Sequence, residues 1–211
     1  MIITILTDNE KSWFIPYGKV LKEKLENLGN QVHYIFNKNN ILEGDICFFL
    51  SCISIFEGDY LKRNKNNIVI HASDLPDGKG FAPLQWQILK GENEIILTLF
   101  EVSKDVDAGP YYFKDKVRFS GKELYQELRS ILADKIIEMC VYFVKHINEL
   151  NSIPQTGEES FFRKRRLKDD ELDPYKTIVE QFNHFRIADN ENYPLYFYLK
   201  GEKYILKIFK G

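Results

Sequence analysis

The sequence predicts an α/β fold: a parallel-rich sheet flanked by helices, with a small C-terminal extension of one helix and a β-hairpin. Over residues 1–120, short β-rich runs alternate with helical ones. Two of the runs, Ile2-Ile3-Thr4-Ile5-Leu6 and Ile46-Cys47-Phe48-Phe49-Leu50, are apolar without polar alternation, as strands covered on both faces are. Near the C-terminus two alternating runs flank Lys200-Gly201-Glu202, a hairpin turn.

The elements follow in order. A strand over 2–6 leads to a helix over 17–28, where Val20, Leu21, Leu25 and Leu28 fall at helical spacing and Gly29 takes the place of a terminating glycine. Strands over 31–36, 45–50, 67–71 and 95–102 come next. Ser120-Gly121-Lys122-Glu123 announces a long helix, because serine and glutamate at that spacing satisfy each other's free amides. From Leu124 through Leu128, Leu132, Ile136, Cys140, Phe143 and Ile147 an apolar stripe runs to about Leu150, and it is assigned to the core. The polar stretch 151–159 reads as a linker, dividing the chain into a main domain, 1–150, and a subdomain, 151–211. In the latter, Asp173 caps a helix with Pro174 at its first position, and runs over 195–199 and 203–209 form the hairpin.

A chain of 211 residues is long enough for one well-buried domain plus a small appendage. Its formal net charge of −2 lacks the broad positive field of a general nucleic-acid binder. Cys47, Cys52 and Cys140 have no CxxC spacing and lie in apolar surroundings, which points to a reducing compartment with neither a disulfide frame nor a metal site. The first residues contain no basic segment and no apolar run long enough for a signal or a membrane span, so a cytoplasmic protein is expected.

Chemistry concentrates at two places. Ligands of open parallel sheets bind outside the carboxyl ends of the strands, and His71 ends the run Ile68-Val69-Ile70. The other histidines, His33, His146 and His184, fall within a strand or helices, where packing or solvation explains them. After the strand over 95–102 comes Lys104-Asp105-Val106-Asp107-Ala108-Gly109-Pro110, which reads either as a plain turn or as a loop aiming Asp107 at His71 across the sheet top. A carboxylate beside an imidazole orients it and favours its charged form, as proton exchange near neutral pH requires.

The stretch 69–110, with His71, Ser73, Leu75-Pro76, Gly80, Pro83, Trp86 and Asp107-Ala108-Gly109-Pro110, resembles the formyltransferases that use 10-formyltetrahydrofolate. The tail, with Arg165-Arg166, Asp169-Asp170, Phe185-Arg186, Tyr193-Pro194 and the hairpin, extends the resemblance over nearly the whole chain. Within that group the chain looks most like the nucleotide-sugar N-formyltransferases of the pseudaminic-acid pathway type, and it is also similar to formylation domains of some peptide synthetases. The resemblance implies a Rossmann-like formyltransferase fold with its catalytic domain at 1–150. It further implies direct transfer of a formyl group from 10-formyltetrahydrofolate, without metal, to the amine of a nucleotide-linked amino sugar. His71 would stabilise the developing oxyanion with help from Ser73, and Asp107 would orient His71 and take the amine proton. The folate would lie against Ser54, Ile55 and Phe56, with Asp105 and Gly109 in the loop closing the other side. The acceptor would meet Gly80, Phe81 and Pro83, with Trp13 against its base or sugar.

One position departs from the family pattern: an asparagine is expected two residues before the histidine, and Val69 stands there. Asn67 would face the same side but about 7 Å lower along the strand. The vacant role passes to Ser73, to backbone N–H groups near Gly80, or to a protonated His71 acting alone. For the pyrophosphate of the acceptor, Lys79, Arg163 and Arg165 are candidates, the competing reading being a solvated basic segment balanced by Asp169-Asp170-Glu171. The loop Thr7 to Trp13, with two carboxylates and no glycine, is poorly made for phosphate. The remaining alternatives are a methionyl-tRNA formyltransferase-like enzyme and a non-catalytic folate-binding relative. No nucleic-acid or membrane partner is expected, and the free edges of the hairpin allow a homodimer.

Overall fold

The computed structural model describes residues 1–54 and 58–211. The chain runs β1 (Ile2–Leu6), α1 (Ile15–Glu26), β2 (Gln31–Ile35), β3 (Gly44–Phe49), β4 (Asn64–His71), β5 (Lys79–Gly80), α2 (Pro83–Leu89), β6 (Glu94–Glu101), β7 (Tyr111–Arg118) and α3 (Tyr125–His146). It continues with β8 (Phe161–Phe162), α4 (Phe182–Arg186), β9 (Leu195–Leu199) and β10 (Glu202–Leu206). A six-stranded sheet has the order β2-β1-β3-β4-β6-β7. Its β2, β1, β3 and β4 are parallel, and β6 and β7 are antiparallel additions at one edge.

Successive side chains on a strand face opposite sides, which explains the unbroken apolar runs. Ile5, Ile46 and Phe48 point into the main core beneath α1 and α3, whereas Leu6, Cys47 and Phe49 enter a smaller cluster on the other face. The Phe48 ring meets the Phe143 ring of α3 edge-on, at 6.2 Å between centroids. Both rings are buried, worth about 1.5–3 kcal/mol each relative to exposure.

Several expectations need correction. β6 is antiparallel to β4, so its C-terminal end lies level with the middle of β4: Glu101 pairs with Ile68, and Thr98 with His71. β7 and α2 have no counterpart in the sequence reading, because β7 alternates exposed Lys114, Lys116 and Arg118 with partly covered residues, as an edge strand does. In α1, Leu21 and Leu25 are buried, but Val20 is exposed, and Leu28 is exposed beyond the end of the helix. α3 starts at Tyr125, not at Ser120. The Glu123 carboxylate caps the preceding turn, accepting from the N–H groups of Ser120 (2.7 Å), Gly121 (3.0 Å) and Lys122 (3.1 Å). The Glu127 carboxylate accepts from the Leu124 N–H at 2.8 Å, and this is the contact that serves the helix. Asp173 likewise closes a turn, accepting from the Tyr175 N–H at 3.0 Å, and the only helix after it is the short α4.

β9 and β10 pair through Lys200 (φ +50°) and Gly201 (φ +86°), two left-handed residues of the kind a tight hairpin needs. Beneath the hairpin Leu172, Phe185, Ala188 and Leu195 form a small core. Arg186, 1% exposed, reaches from α4 to the Glu123 carboxylate and carbonyl, both at 3.4 Å. The segment before it is tied back to the main domain: Ile153 and Tyr111 exchange backbone hydrogen bonds, and β8 pairs in parallel with β5 as a separate two-stranded sheet.

Candidate active site

β4 ends at His71, which is 9% exposed. Its Nε2 lies 2.8 Å from the Gly78 carbonyl oxygen, and a carbonyl only accepts, so this nitrogen carries the proton. Nδ1 is therefore left to face the site. The 72–80 loop is tight at this point: Gly78 has φ +75°, and a Cβ there would lie 2.7 Å from the Phe162 ring. The Gly78 N–H donates to Ser160 Oγ at 2.9 Å, so the C-terminal segment helps to place the carbonyl that holds His71.

Asp107 reaches His71 by another route than the one expected from strand ends. Because β6 descends past β4, the 102–110 loop has to climb back, and it brings Asp107 Oδ2 to 3.7 Å from His71 Nδ1. The same oxygen accepts the Gly80 N–H at 2.8 Å. Asp107 has φ +51°, a left-handed conformation that costs an L residue about 1–2 kcal/mol. Two contacts hold it there. Gly109 passes so close to the end of β6 that a Cβ would be 1.7 Å from the Glu101 carbonyl oxygen. Gln155 Nε2 donates to the carbonyls of Asp107 (3.0 Å) and Gly109 (2.8 Å). Below the loop, burial pushes the Glu101 carboxyl up, opposed by hydrogen bonds from the Asn67 N–H, Tyr112 and Asn66.

A cavity of about 580 Å³ opens beside this pair. Of the residues predicted from sequence, Trp13, Ser54, His71, Gly80, Phe81, Pro83, Asp105 and Asp107 line it. Trp13 also packs edge-on against Phe14 at 5.4 Å, so it is both wall and core. The loop bearing Ser54 is fixed by Asp8, whose carboxylate accepts from the N–H groups of Ile53 (2.9 Å) and Ser54 (2.8 Å). This gives the acidic loop after β1 a structural purpose. Ile55 and Phe56 lie outside the described residues.

Other expected residues do not reach the cavity. Ser73 is 2% exposed and borders a separate pocket of about 140 Å³. Lys79, also 2% exposed, is paired with Glu159 at 2.6 Å. Arg163 makes a two-pronged pair with Asp169 while covering the Trp86 ring, and Arg165 pairs with Asp170. The arginines therefore follow the balanced-segment reading. Gly109 acts through its backbone, as described above. Asn67 is buried, donating to the Leu61 carbonyl at 2.8 Å, and Val69 itself lines the cavity. Of the donors weighed for an oxyanion, Ser73 borders another pocket and the Gly80 N–H is taken by Asp107, whereas His71 lines the cavity.

Sequence reading missed Arg129. Tyr125, Arg129, Leu132 and Ile136 share one face of α3, and the last three line the cavity. A charge set into an apolar stripe was the available signal.

The sequence profile of the family described as Formyl transferase matches residues 10–141. The bifunctional polymyxin resistance protein ArnA of Wigglesworthia glossinidia brevipalpis is 27% identical over 97% of this chain and 33% of its own length. The curated relatives matched, two methionyl-tRNA formyltransferases among them, are spanned over only 33% to 40% of their length. Among solved structures, a methionyl-tRNA formyltransferase from Clostridium thermocellum superposes with a TM-score of 0.77 at 21% identity, covering 100% of this chain and 99% of that one. The formyltransferase PseJ from Anoxybacillus kamchatkensis, in complex with UDP-4,6-dideoxy-4-formamido-L-AltNAc and tetrahydrofolate, gives 0.61 at 21% identity, covering 77% and 85%. At such identities the structural likeness speaks for the fold.

Proposed function

The chain belongs to the formyl transferase family, and from that premise we propose that it moves a formyl group from 10-formyltetrahydrofolate to the amine of a nucleotide-linked amino sugar. The acceptor we favour is a UDP-4-amino-4,6-dideoxyhexose, of the kind used in pseudaminic-acid-type surface glycans. The observation that carries the reading is the His71–Asp107 pair at the wall of a cavity of about 580 Å³. Cavities of this size suit small-molecule ligands.

The residues present fit a folate. The exposed apolar side chains of Ile53 and Val106 stand on two loops of the cavity, a suitable bed for a flat ring system, beside the backbone of Ser54 and Asp105. When bound, 10-formyltetrahydrofolate supplies the formyl carbon. His71 holds its Nε2 proton on the Gly78 carbonyl and, when protonated at Nδ1 as well, donates there to an oxygen that gains negative charge. Asp107, oriented by the Gly80 N–H, faces the same ring edge and would accept the proton that the attacking amine gives up as the new C–N bond forms, while the bond from the formyl carbon to the folate nitrogen breaks and that nitrogen takes up a proton. Val69 brings no donor, so His71 is the electrophile.

The acceptor choice is supported by the net charge of −2 and by the pairing of Lys79, Arg163 and Arg165 with carboxylates. Residues 1–150 make the catalytic domain in this reading, and 151–211 an extension. The exposed Tyr198, Tyr204 and Ile205 of the hairpin suit pairing with a second copy, and the three free thiols suit the cytoplasm. The test is formyl transfer followed by mass spectrometry, with the UDP-4-amino-4,6-dideoxyhexose and initiator methionyl-tRNA as rival acceptors. A formamido sugar is expected. Product on tRNA alone would favour the second enzyme reading, and folate binding without product on any acceptor would favour a binding protein.

A further inference from the structure

Buried cations in this chain are matched to anions: Lys79 to Glu159, Arg165 to Asp170, Arg186 to Glu123. Among the described residues Arg129 is the most loosely matched. Its side chain is 19% exposed on the cavity wall, and its nearest carboxylate oxygen, Asp189 Oδ2, stands 3.9 Å away. Asp189 is already engaged by the Glu191 N–H and by the N–H and amide of Asn192. The guanidinium makes no hydrogen bond among the described residues. It lies instead on aromatic rings, 3.9 Å from the Tyr125 centroid and 5.3 Å from that of Trp13. These rings fix its plane and shield its faces, so its N–H donors remain for a ligand. Lys104, the other cation on this wall, is exposed.

Buried donors are almost always hydrogen-bonded, and a partly desolvated guanidinium with free donors is suited to a two-oxygen anion. We propose that Arg129 is the anion anchor of this cavity, gripping a phosphate or carboxylate group through paired N–H···O bonds. The proposal rests on the cavity being the reaction site, and it transfers to Arg129 the role expected of Lys79, Arg163 and Arg165. Two sources offer that chemistry: the diphosphate of the acceptor and the glutamate carboxylates of the folate.

Calorimetric titration of wild type, Arg129→Gln and Arg129→Lys with UDP, inorganic pyrophosphate and tetrahydrofolate separately tests the proposal, with melting temperature as the folding control. Arg129→Gln should weaken one ligand class by at least about tenfold, and Arg129→Lys, which keeps charge but not the fork, should recover only part. Loss confined to UDP and pyrophosphate assigns the anchor to the acceptor, with KM for the sugar rising and kcat nearly unchanged. Loss confined to tetrahydrofolate assigns it to the folate. Unchanged binding of all three in a folded variant, or no binding of any by wild type, overturns the proposal. UDP binding that depends on Arg129 without formyl transfer would leave the anchor standing and remove the reaction. Transfer with unchanged binding would do the reverse.

Discussion

Replacing Gln155 by alanine asks whether the C-terminal segment sets the geometry of Asp107, the carboxylate proposed to take the amine proton. The amide nitrogen holds the carbonyls of Asp107 and Gly109 at 3.0 and 2.8 Å. At about 1 kcal/mol net for each hydrogen bond, the clamp contributes about 2 kcal/mol to a loop whose Asp107 carries the cost of a left-handed backbone. Set against about 1.4 kcal/mol per tenfold, complete loss of that margin would lower the productive loop population by about 30-fold. Two restraints survive the substitution: the Gly80 N–H on Asp107 Oδ2, and the Glu101 N–H on the Pro110 carbonyl at 2.9 Å. The expected outcome is a fall of about tenfold in kcat, with KM for both substrates and the melting temperature little changed. Gln155→Glu, which removes the donor and sets a carboxylate against two carbonyls, should fall further. The measurement is steady-state formyl transfer by mass spectrometry, with thermal denaturation in parallel. A kcat within about twofold of wild type in folded Gln155→Ala would refute the argument that this clamp positions Asp107.

Other outcomes follow from the same contacts. His71→Ala and Asp107→Asn should each lower turnover by at least about 10²-fold while melting near wild type, and near-wild-type rates in both would remove them from the chemistry. Gly109→Ala forces a Cβ to 1.7 Å from the Glu101 carbonyl oxygen, so the Asp107 loop has to move and turnover should drop by about 10²-fold. Glu123 tests stability: burial alone would raise its carboxyl, but the donors from Ser120 and its neighbours win and pull it down to about 2 from an ordinary 4.5. A folded value below the unfolded one stabilises above pH 4.5, and the contribution, about 3 kcal/mol, is lost as pH falls from there toward 2. Urea unfolding should show that slope in wild type and a flattened one in Glu123→Gln. Finally, acceptor KM should change weakly between low and high salt, whereas a steep rise would indicate a polyanionic acceptor.

The sequence by itself determined the strand runs of β1–β4 and β6, the long apolar stripe of α3, the hairpin and the motif around His71 and Asp107. Those features depend on residues a few positions apart, on local backbone preference and on periodicity, all of which are present in one dimension. Even so, local signals misled where two partners competed. Ser120 and Glu123 have the spacing of a helix cap, yet Glu123 serves the turn and Arg186 while Glu127 serves the helix. Tertiary structure alone decided the direction of β6, and with it the return path that brings Asp107 to His71. It also decided the fate of the charges. Lys79 finds Glu159 at a separation of 80 residues and is withdrawn from the cavity, whereas Arg129, placed within a stripe that reads as pure core, is left facing it with its nearest carboxylate 3.9 Å away. Which partner a charge meets depends on how distant segments cross, and the cost of burying it unpaired depends on what surrounds it after they have crossed.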